Sequence, residues 1–260
     1  MRGGEKRMGK IIAFSNQKGG IGKTTSAVNV AASVALKKKK TLLVDLDPQG
    51  NATSGVGVSK KGDLPSVYEL LIGEKTIEET IVKTDFGDLW VIPSNIRLAG
   101  AEIELVGSEK RESLLKNELE KIVDGFDYII IDCPPSLGIL TLNALAAADG
   151  VIIPMVCEYY ALEGLSQLVL TVKQIKKNYN PKLEIVGILI TMYDRRLNLS
   201  KMVEKELEKY YGDKIFKTRI KRNVRLSEAP SYGQPVFYYD KLSSGTEEYL
   251  AVATELIKRI

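Results

Sequence analysis

Short apolar runs recur along this chain and alternate with longer amphipathic stretches. "IIAFS" (11–15), "TLLVDLD" (41–47), "LWVIP" (89–93), "YIIIDCPP" (128–135), "VIIPM" (151–155) and "IVGILIT" (185–191) are nearly continuous aliphatic segments. Runs of this length and β-branched content suit strands covered on both faces, as in a parallel sheet. Between them, residues 24–40, 111–124, 139–148, 162–178, 199–211 and those from about 244 onward read as helices. The first of these, "TTSAVNVAASVALKKKK", carries lysines at its far end, where they suit the negative pole of a helix dipole. Strand and helix in alternation predict an α/β fold with a doubly wound, mostly parallel twisted sheet and helices on both faces. No repeat, long linker or low-complexity segment interrupts the pattern, which reads as a single domain over 1–260 with a short basic segment at 1–9. That segment carries Arg2, Lys6 and Arg7, with Lys10 just beyond it.

Composition narrows the chemistry. The 260 residues are 44% hydrophobic, enough for one large core. There is no histidine, so a Ser–His couple and a histidine metal site are both excluded, and proton transfer falls to carboxylates, lysines, tyrosines or water. The two cysteines, Cys133 and Cys157, form no CxxC pair or disulfide framework, which fits a reducing cytoplasm. No apolar run reaches membrane-spanning length. A net charge of +4 permits nucleic acid or an anionic membrane as a partner and requires neither.

"NQKGGIGKTTS" (16–26) follows the first strand and opens a helix, the context that a phosphate-binding loop demands. Gly19, Gly20 and Gly22 leave backbone N–H groups free to converge on an anion at a positive helix end. Lys23 would reach the terminal phosphates, the Thr24 hydroxyl would bind Mg²⁺, and Thr25 would add an inner-phosphate contact. Gln17 stands where the common motif has glycine, and Lys18 is an extra cation. Lys18 either folds back on the loop or reaches a phosphate held by another subunit, as an arginine finger does. Asp45 and Asp47 end the second strand on one side, with Asp47 nearer the mouth. It is the candidate for orienting the attacking water, with Gln49 and Asn51 beside it. Asp132, at the end of "YIIID", is the candidate for holding Mg²⁺ through water. Further on, "KTRIKRNVR" (217–225) gathers Lys217, Arg219, Lys221, Arg222 and Arg225, and Arg195, Arg196 and Lys201 lie nearby in sequence. Such clusters neutralise nucleic-acid phosphates without reading bases.

The stretch "KGGIGKTT" resembles the deviant Walker A motif of the ParA/MinD ATPases, with Lys18 at the position of their signature lysine. "VDLDPQGNATSG", "LAGAEIELV" (98–106), "DCPPSLGILTLNAL", "EYYALEGLSQL" (158–168) and "RNVRLSEAPSYG" (222–233) look like Soj-type chromosomal ParA proteins, in the same order over residues 9–260. The resemblance implies a P-loop NTPase that binds ATP or ADP with Mg²⁺ through Lys18, Gly19, Gly20, Ile21, Gly22, Lys23, Thr24 and Thr25. Lys18, Lys23 and Asp47 are then the catalytic set. It further implies an ATP-dependent homodimer, non-specific double-stranded DNA binding, and hydrolysis stimulated by a ParB-type protein, all in chromosome or plasmid partitioning on the nucleoid in the cytoplasm. Arg196 and Arg225 match positions used for DNA contact, and Arg219, Lys221 and Arg222 extend that set. The family usually has proline where Lys221 stands, close to the adenine-side loop. A MinD-like membrane-associated ATPase of division-site placement is the alternative. Its membrane helix is not apparent in "GTEEYLAVATELIKRI" (245–260), where Glu247, Glu248 and Glu255 interrupt the apolar face.

Overall fold

The alternation of side chains along each apolar run decides which face of the sheet a residue serves. In the computed structural model, which describes residues 9–159 and 161–260, seven strands form one sheet in the order β3-β4-β2-β5-β1-β6-β7. They are β1 (Lys10–Phe14), β2 (Thr41–Asp45), β3 (Val82–Lys83), β4 (Leu89–Ile92), β5 (Tyr128–Asp132), β6 (Gly150–Val156) and β7 (Glu184–Thr191). All neighbours are parallel except β3 against β4. Arg2, Lys6 and Arg7 lie outside the described residues.

The helices are α1 (Lys23–Leu36), α2 (Asn51–Gly55), α3 (Val67–Leu71), α4 (Ile77–Thr80), α5 (Leu98–Glu104) and α6 (Leu114–Ile122). After them come α7 (Ile139–Ala147), α8 (Ala161–Asn178), α9 (Asn198–Tyr211), α10 (Val224–Glu228), α11 (Val236–Tyr239) and α12 (Ser244–Arg259). Ile11, Ala13, Leu42, Val44, Ile129 and Ile131 point to one face and pack with residues of α6, α7, α8 and α9. Ile12, Phe14, Leu43, Ile130 and Ile152 point to the other, under α1 and α12. The expected doubly wound α/β architecture is therefore present, with its loops gathered at the carboxyl ends of β1, β2, β5 and β6.

Differences from the sequence expectation have local causes. α1 ends at Leu36, because Lys38 adopts a left-handed φ of 60°, so the lysines 37–40 make the turn into β2 rather than the last helical turn. The 111–124 segment breaks into α6 flanked by tighter 3₁₀ turns at Arg111–Ser113 and Val123–Gly125. β5 stops at Asp132 because Pro134 and Pro135 have no N–H to continue a ladder. α2, α3 and α4 are too short for periodicity to reveal. Two of them nonetheless carry capping boxes, Ser66 with Glu69 and Thr76 with Glu79, which were readable as S/T-x-x-E.

Small residues on α1 let α12 approach closely: Ala27, Ala31 and Ala35 are all buried in this interface layer. Within it the Ser26 hydroxyl and the Tyr249 hydroxyl are 3.0 Å apart and share a buried hydrogen bond. Removing one partner leaves the other buried and unpaired, which costs about 1–3 kcal/mol. Tyr249→Phe is therefore expected to lower the urea midpoint by that free energy divided by the slope m, with m itself unchanged.

Candidate functional site

The chain leaves β1, crosses the carboxyl edge of the sheet at residues 15–22, and enters α1 at Lys23. Gly20 (φ 70°) and Gly22 (φ 81°) are in the left-handed region, which only glycine adopts without strain. A Cβ built on Gly19 or Gly20 meets nothing within 4 Å, so the loop's amides are open to approach. The first-turn amides of α1 have no intrahelical partner and no side-chain cap. Together these groups make an anion nest at a positive helix end.

Two residues that the sequence reading passed over hold this loop in shape. Asn16, which is buried, donates from Nδ2 to the Pro154 carbonyl (2.8 Å) and accepts from the Lys18 amide (3.1 Å). The Thr191 hydroxyl lies 2.7 Å from the Ile21 carbonyl and 3.1 Å from that of Met155. The signal for Thr191 was a polar residue closing the apolar run "ILIT" (188–191).

The two loop lysines have separate surroundings. Lys23 is buried, and its ammonium donates to the Lys18 carbonyl (2.9 Å). Burial lowers its pKa, opposed by the carboxylates of Asp132 and Asp47. The Lys18 ammonium forms an ion pair with Glu158, on the loop after β6, and both side chains are about half exposed (48% and 51%). Within one chain, then, Lys18 turns away from Lys23 and across the edge of the sheet.

Three carboxylates face this loop. The β2–β5 register sets Asp45 opposite Asp132. Asp132 is fully buried, and neither of its oxygens receives a hydrogen bond of normal geometry. Burial, and then the charge of Asp45, raise its pKa well above the carboxylate range, against the opposing pull of the Thr24 hydroxyl and Lys23. Asp45 is also fully buried but well partnered. It accepts from the Thr53 amide and hydroxyl (both 2.7 Å) and the Asp47 amide (3.1 Å). Burial still pushes it up to about 6. Thr53 Oγ1 in turn accepts from the Ser94 amide (2.8 Å). Asp47 lies just past the strand and is 9% exposed, with Oδ1 accepting from the Gln49 amide (2.9 Å). Gly50 makes this turn possible, since its φ is 61° and a Cβ there would lie 2.8 Å from the Ser94 carbonyl oxygen.

These groups fit a small hard cation. An orphaned buried carboxylate beside a hydroxyl offers oxygen donors, and no cluster of three or more His, Cys, Asp and Glu side chains arranged for a metal exists among the described residues. Mg²⁺ matches such a site, because it takes one or two protein oxygens and completes its shell with water and phosphate.

Beyond Gly22 and Thr25 opens a cavity of about 530 Å³, walled by Thr191, Met192, Lys221 and Arg222. The basic residues expected to form one DNA patch divide here. Arg219 turns inward: its guanidinium lies 2.7 Å from Glu204, its side chain is 18% exposed, and the Tyr193 hydroxyl donates to the same carboxylate. Lys221 sits on the cavity wall with its ammonium 3.1 Å from Glu248. Its amide donates to Glu248 (2.9 Å), a bond that the proline expected there could not make. Arg219 is thus largely buried against Glu204, whereas the Lys221 side chain stays exposed beside its acid. Arg196 stays outside beside Asp194 (85% exposed), Arg225 pairs with Glu228 and Asp240, and Arg222 is exposed without an ion pair among the described residues.

Comparison with known proteins gives a consistent picture. Residues 9–185 match the AAA domain family. The chain is 55% identical to the sporulation initiation inhibitor protein Soj of Bacillus subtilis over 249 residues, covering 96% of this chain and 98% of that protein. It is 52% identical to the chromosome partitioning protein ParA of Myxococcus xanthus, covering 97% and 89%. Among solved structures it resembles cobyrinic acid a,c-diamide synthase from Mycobacterium smegmatis with bound ADP and magnesium (TM-score 0.84, 37% identity, 96% and 95% covered). A plasmid partition protein from Borrelia burgdorferi bound to AMPPNP is also similar (TM-score 0.83, 29% identity, 97% and 100% covered).

The carboxylate cluster has a pH signature. Asp45 loses its proton near 3.8 in the unfolded chain and near 6 in the folded one, so the folded state binds that proton more tightly. Its contribution to stability is therefore greatest below the unfolded value, falls as pH rises through this window, and levels off above it. Two units correspond to about 3 kcal/mol. In EDTA, urea titrations of Asp45→Asn are expected to show stability relative to wild type rising by about 2–3 kcal/mol between acid and neutral pH.

Proposed function

The chain belongs to the AAA domain family and, within it, to the Soj/ParA chromosome-partitioning ATPases, and from that premise we propose that it binds ATP with Mg²⁺ at the glycine loop and hydrolyses it to ADP and phosphate. The observation that carries this reading is the buried, unpartnered carboxylate of Asp132 beside an open anion nest and the Thr24 hydroxyl. Gly19, Gly20, Ile21, Gly22 and Thr25 cradle the phosphates by backbone amides and the Thr25 hydroxyl, and Lys23 leaves the Lys18 carbonyl to reach the terminal phosphates. Bound Mg²⁺, held by Thr24 and through water by Asp132, supplies neutralisation of charge on the phosphate oxygens. Asp47, braced by the Gln49 amide, orients the attacking water. The cavity walled by Lys221 takes the nucleoside.

Lys18 is proposed to act across a homodimer, contacting nucleotide held by the second copy. To do so it exchanges Glu158 for phosphate. An exposed ion pair is worth about 0–1 kcal/mol, so that release costs little. The dimer joins two outward sets of Arg196, Arg222 and Arg225 into one surface for non-specific double-stranded DNA, multiplying affinity through effective concentration. Hydrolysis, stimulated by a ParB-type protein, separates the pair and frees the DNA. This describes a single-domain switch working on the nucleoid in the cytoplasm. The MinD-like membrane reading finds no support in α12, whose Tyr249, Val252, Ala253 and Leu256 are buried in the core. No helix among the described residues is long and apolar enough to cross a membrane.

Lys18→Ala is expected to bind ATP yet lose at least about 100-fold in turnover, as for a transferred cationic finger, and to stay monomeric with ATP by light scattering. Asp47→Ala is expected to remain a dimer with ATP and release no phosphate; turnover at the wild-type rate would remove Asp47 from its assigned role. In DNA titrations against salt, Arg222→Ala and Arg225→Ala should each reduce the log–log slope by about 1. Arg219→Ala should leave that slope unchanged, because its charge is spent on Glu204.

A further inference from the structure

Lys221 was a candidate DNA contact, yet its side chain and its amide both serve a buried acid on another element. Glu248 of α12 is 8% exposed. Its Oε2 accepts from the Lys221 amide at 2.9 Å, and its Oε1 has the Lys221 ammonium at 3.1 Å, off the line of a good hydrogen bond. The same short segment is tied on its other side to β7 and its extension: the Ile220 amide donates to Ile190, and the Tyr193 amide donates to Ile220, each at 2.9 Å. Asn223, two residues on, donates to the hydroxyls of Ser243 (3.0 Å) and Ser244 (2.9 Å) at the start of α12. Residues 220–223 are thus clamped between β7 and α12, and they form a wall of the cavity of about 530 Å³ that opens from Gly22 and Thr25. The lining also includes Met192, next to Tyr193 and held in a left-handed conformation (φ 50°).

We propose that Glu248 is a positioning residue for the nucleoside half of the substrate, fixing the Lys221 wall of the cavity without touching the phosphates. The inference rests on the ATP reading above and deepens it. Phosphates are gripped by the glycine loop and α1, whose shape depends on Asn16 and Thr191 and not on Glu248. A nucleoside gains affinity from a wall whose backbone groups are already in position, because an ordered site avoids the entropy of arranging itself on binding. Loosening the wall should therefore weaken nucleotides selectively and spare a ligand that has phosphates alone. A residue that merely holds the fold together would not make that distinction.

The test is calorimetric titration of the full chain with ATP and with inorganic tripolyphosphate, each with Mg²⁺, for wild type, Glu248→Ala and Glu248→Gln. Glu248→Ala should weaken ATP roughly tenfold, the equivalent of losing one well-made contact, and leave tripolyphosphate within twofold. In turnover the same variant should raise KM for ATP with kcat little changed. Glu248→Gln keeps a carbonyl oxygen for the Lys221 amide and should recover most of the loss. Equal weakening of both ligands, no weakening of either, or a glutamine variant as poor as the alanine variant would each overturn the proposal. Wild-type protein that binds tripolyphosphate as tightly as ATP would instead overturn the assignment of the cavity to the nucleoside, and this inference with it.

Discussion

A charge imbalance at the carboxyl ends of β2 and β5 governs everything built around it. Asp45 and Asp132 face each other across the ladder, both fully buried, and Lys23 is the nearest buried cation. Burying like charges side by side is unfavourable unless hydrogen bonds or opposite charges compensate. Asp45 finds compensation inside the protein, from Thr53 and Asp47. Asp132 finds none of normal geometry. A fold that keeps one buried carboxylate unpartnered beside an anion nest has given up stability at a defined point, which a cation held there by Thr24 and Asp132 would offset.

The glycine loop owes its shape to residues outside its motif. Asn16 ties it to β6 and Thr191, on β7, ties it to both β6 and β7, so the two strands on one side of β1 brace the nest. The turn after β2 is braced in the same manner, by the chain of bonds from Asp45 through Thr53 to the Ser94 amide. Both loops are therefore held at their roots by buried hydrogen bonds. Lys18 is the counterexample: its partner Glu158 is half exposed, and an ion pair in water is exchanged at little cost. Rigid amides beside a loosely held ammonium suit a loop that must grip one ligand constantly and meet a second group only at times.

How much of this the sequence disclosed depended on whether the determining contact was local. Six of the strands were legible because each is buried on both faces and reads as an apolar run; two-residue β3 was not, since nothing in two residues distinguishes a strand. The glycine loop, Asp47 and Asp132 were legible because strand, turn and helix stand in order around them. The basic segment 217–225 was legible only in part, because its spacing shows five cations and hides their partners. Glu204 and Glu248 lie 15 and 27 residues from Arg219 and Lys221, on α9 and α12, and no periodicity links those positions. Linear charge clusters report what is close along the chain, whereas charge compensation is decided across the fold.

That compensation also explains the work of the last helix. α12 presents four polar side chains to different parts of the fold: Tyr249 to Ser26 on α1, Glu248 to Lys221, Glu255 to the Lys217 amide, and Arg259 to the carbonyls of Val186 and Ile215. It therefore spans from the back of the phosphate-loop helix to the segment that walls the cavity. Arg222, the next residue after Lys221, and Arg225, in the first turn of α10, are both exposed. On the proposed function, the nucleoside and the DNA backbone are contacted by adjacent residues of one clamped segment. On that reading no element of the core lies between the two contacts, because Lys221 and Arg222 are consecutive residues of one backbone.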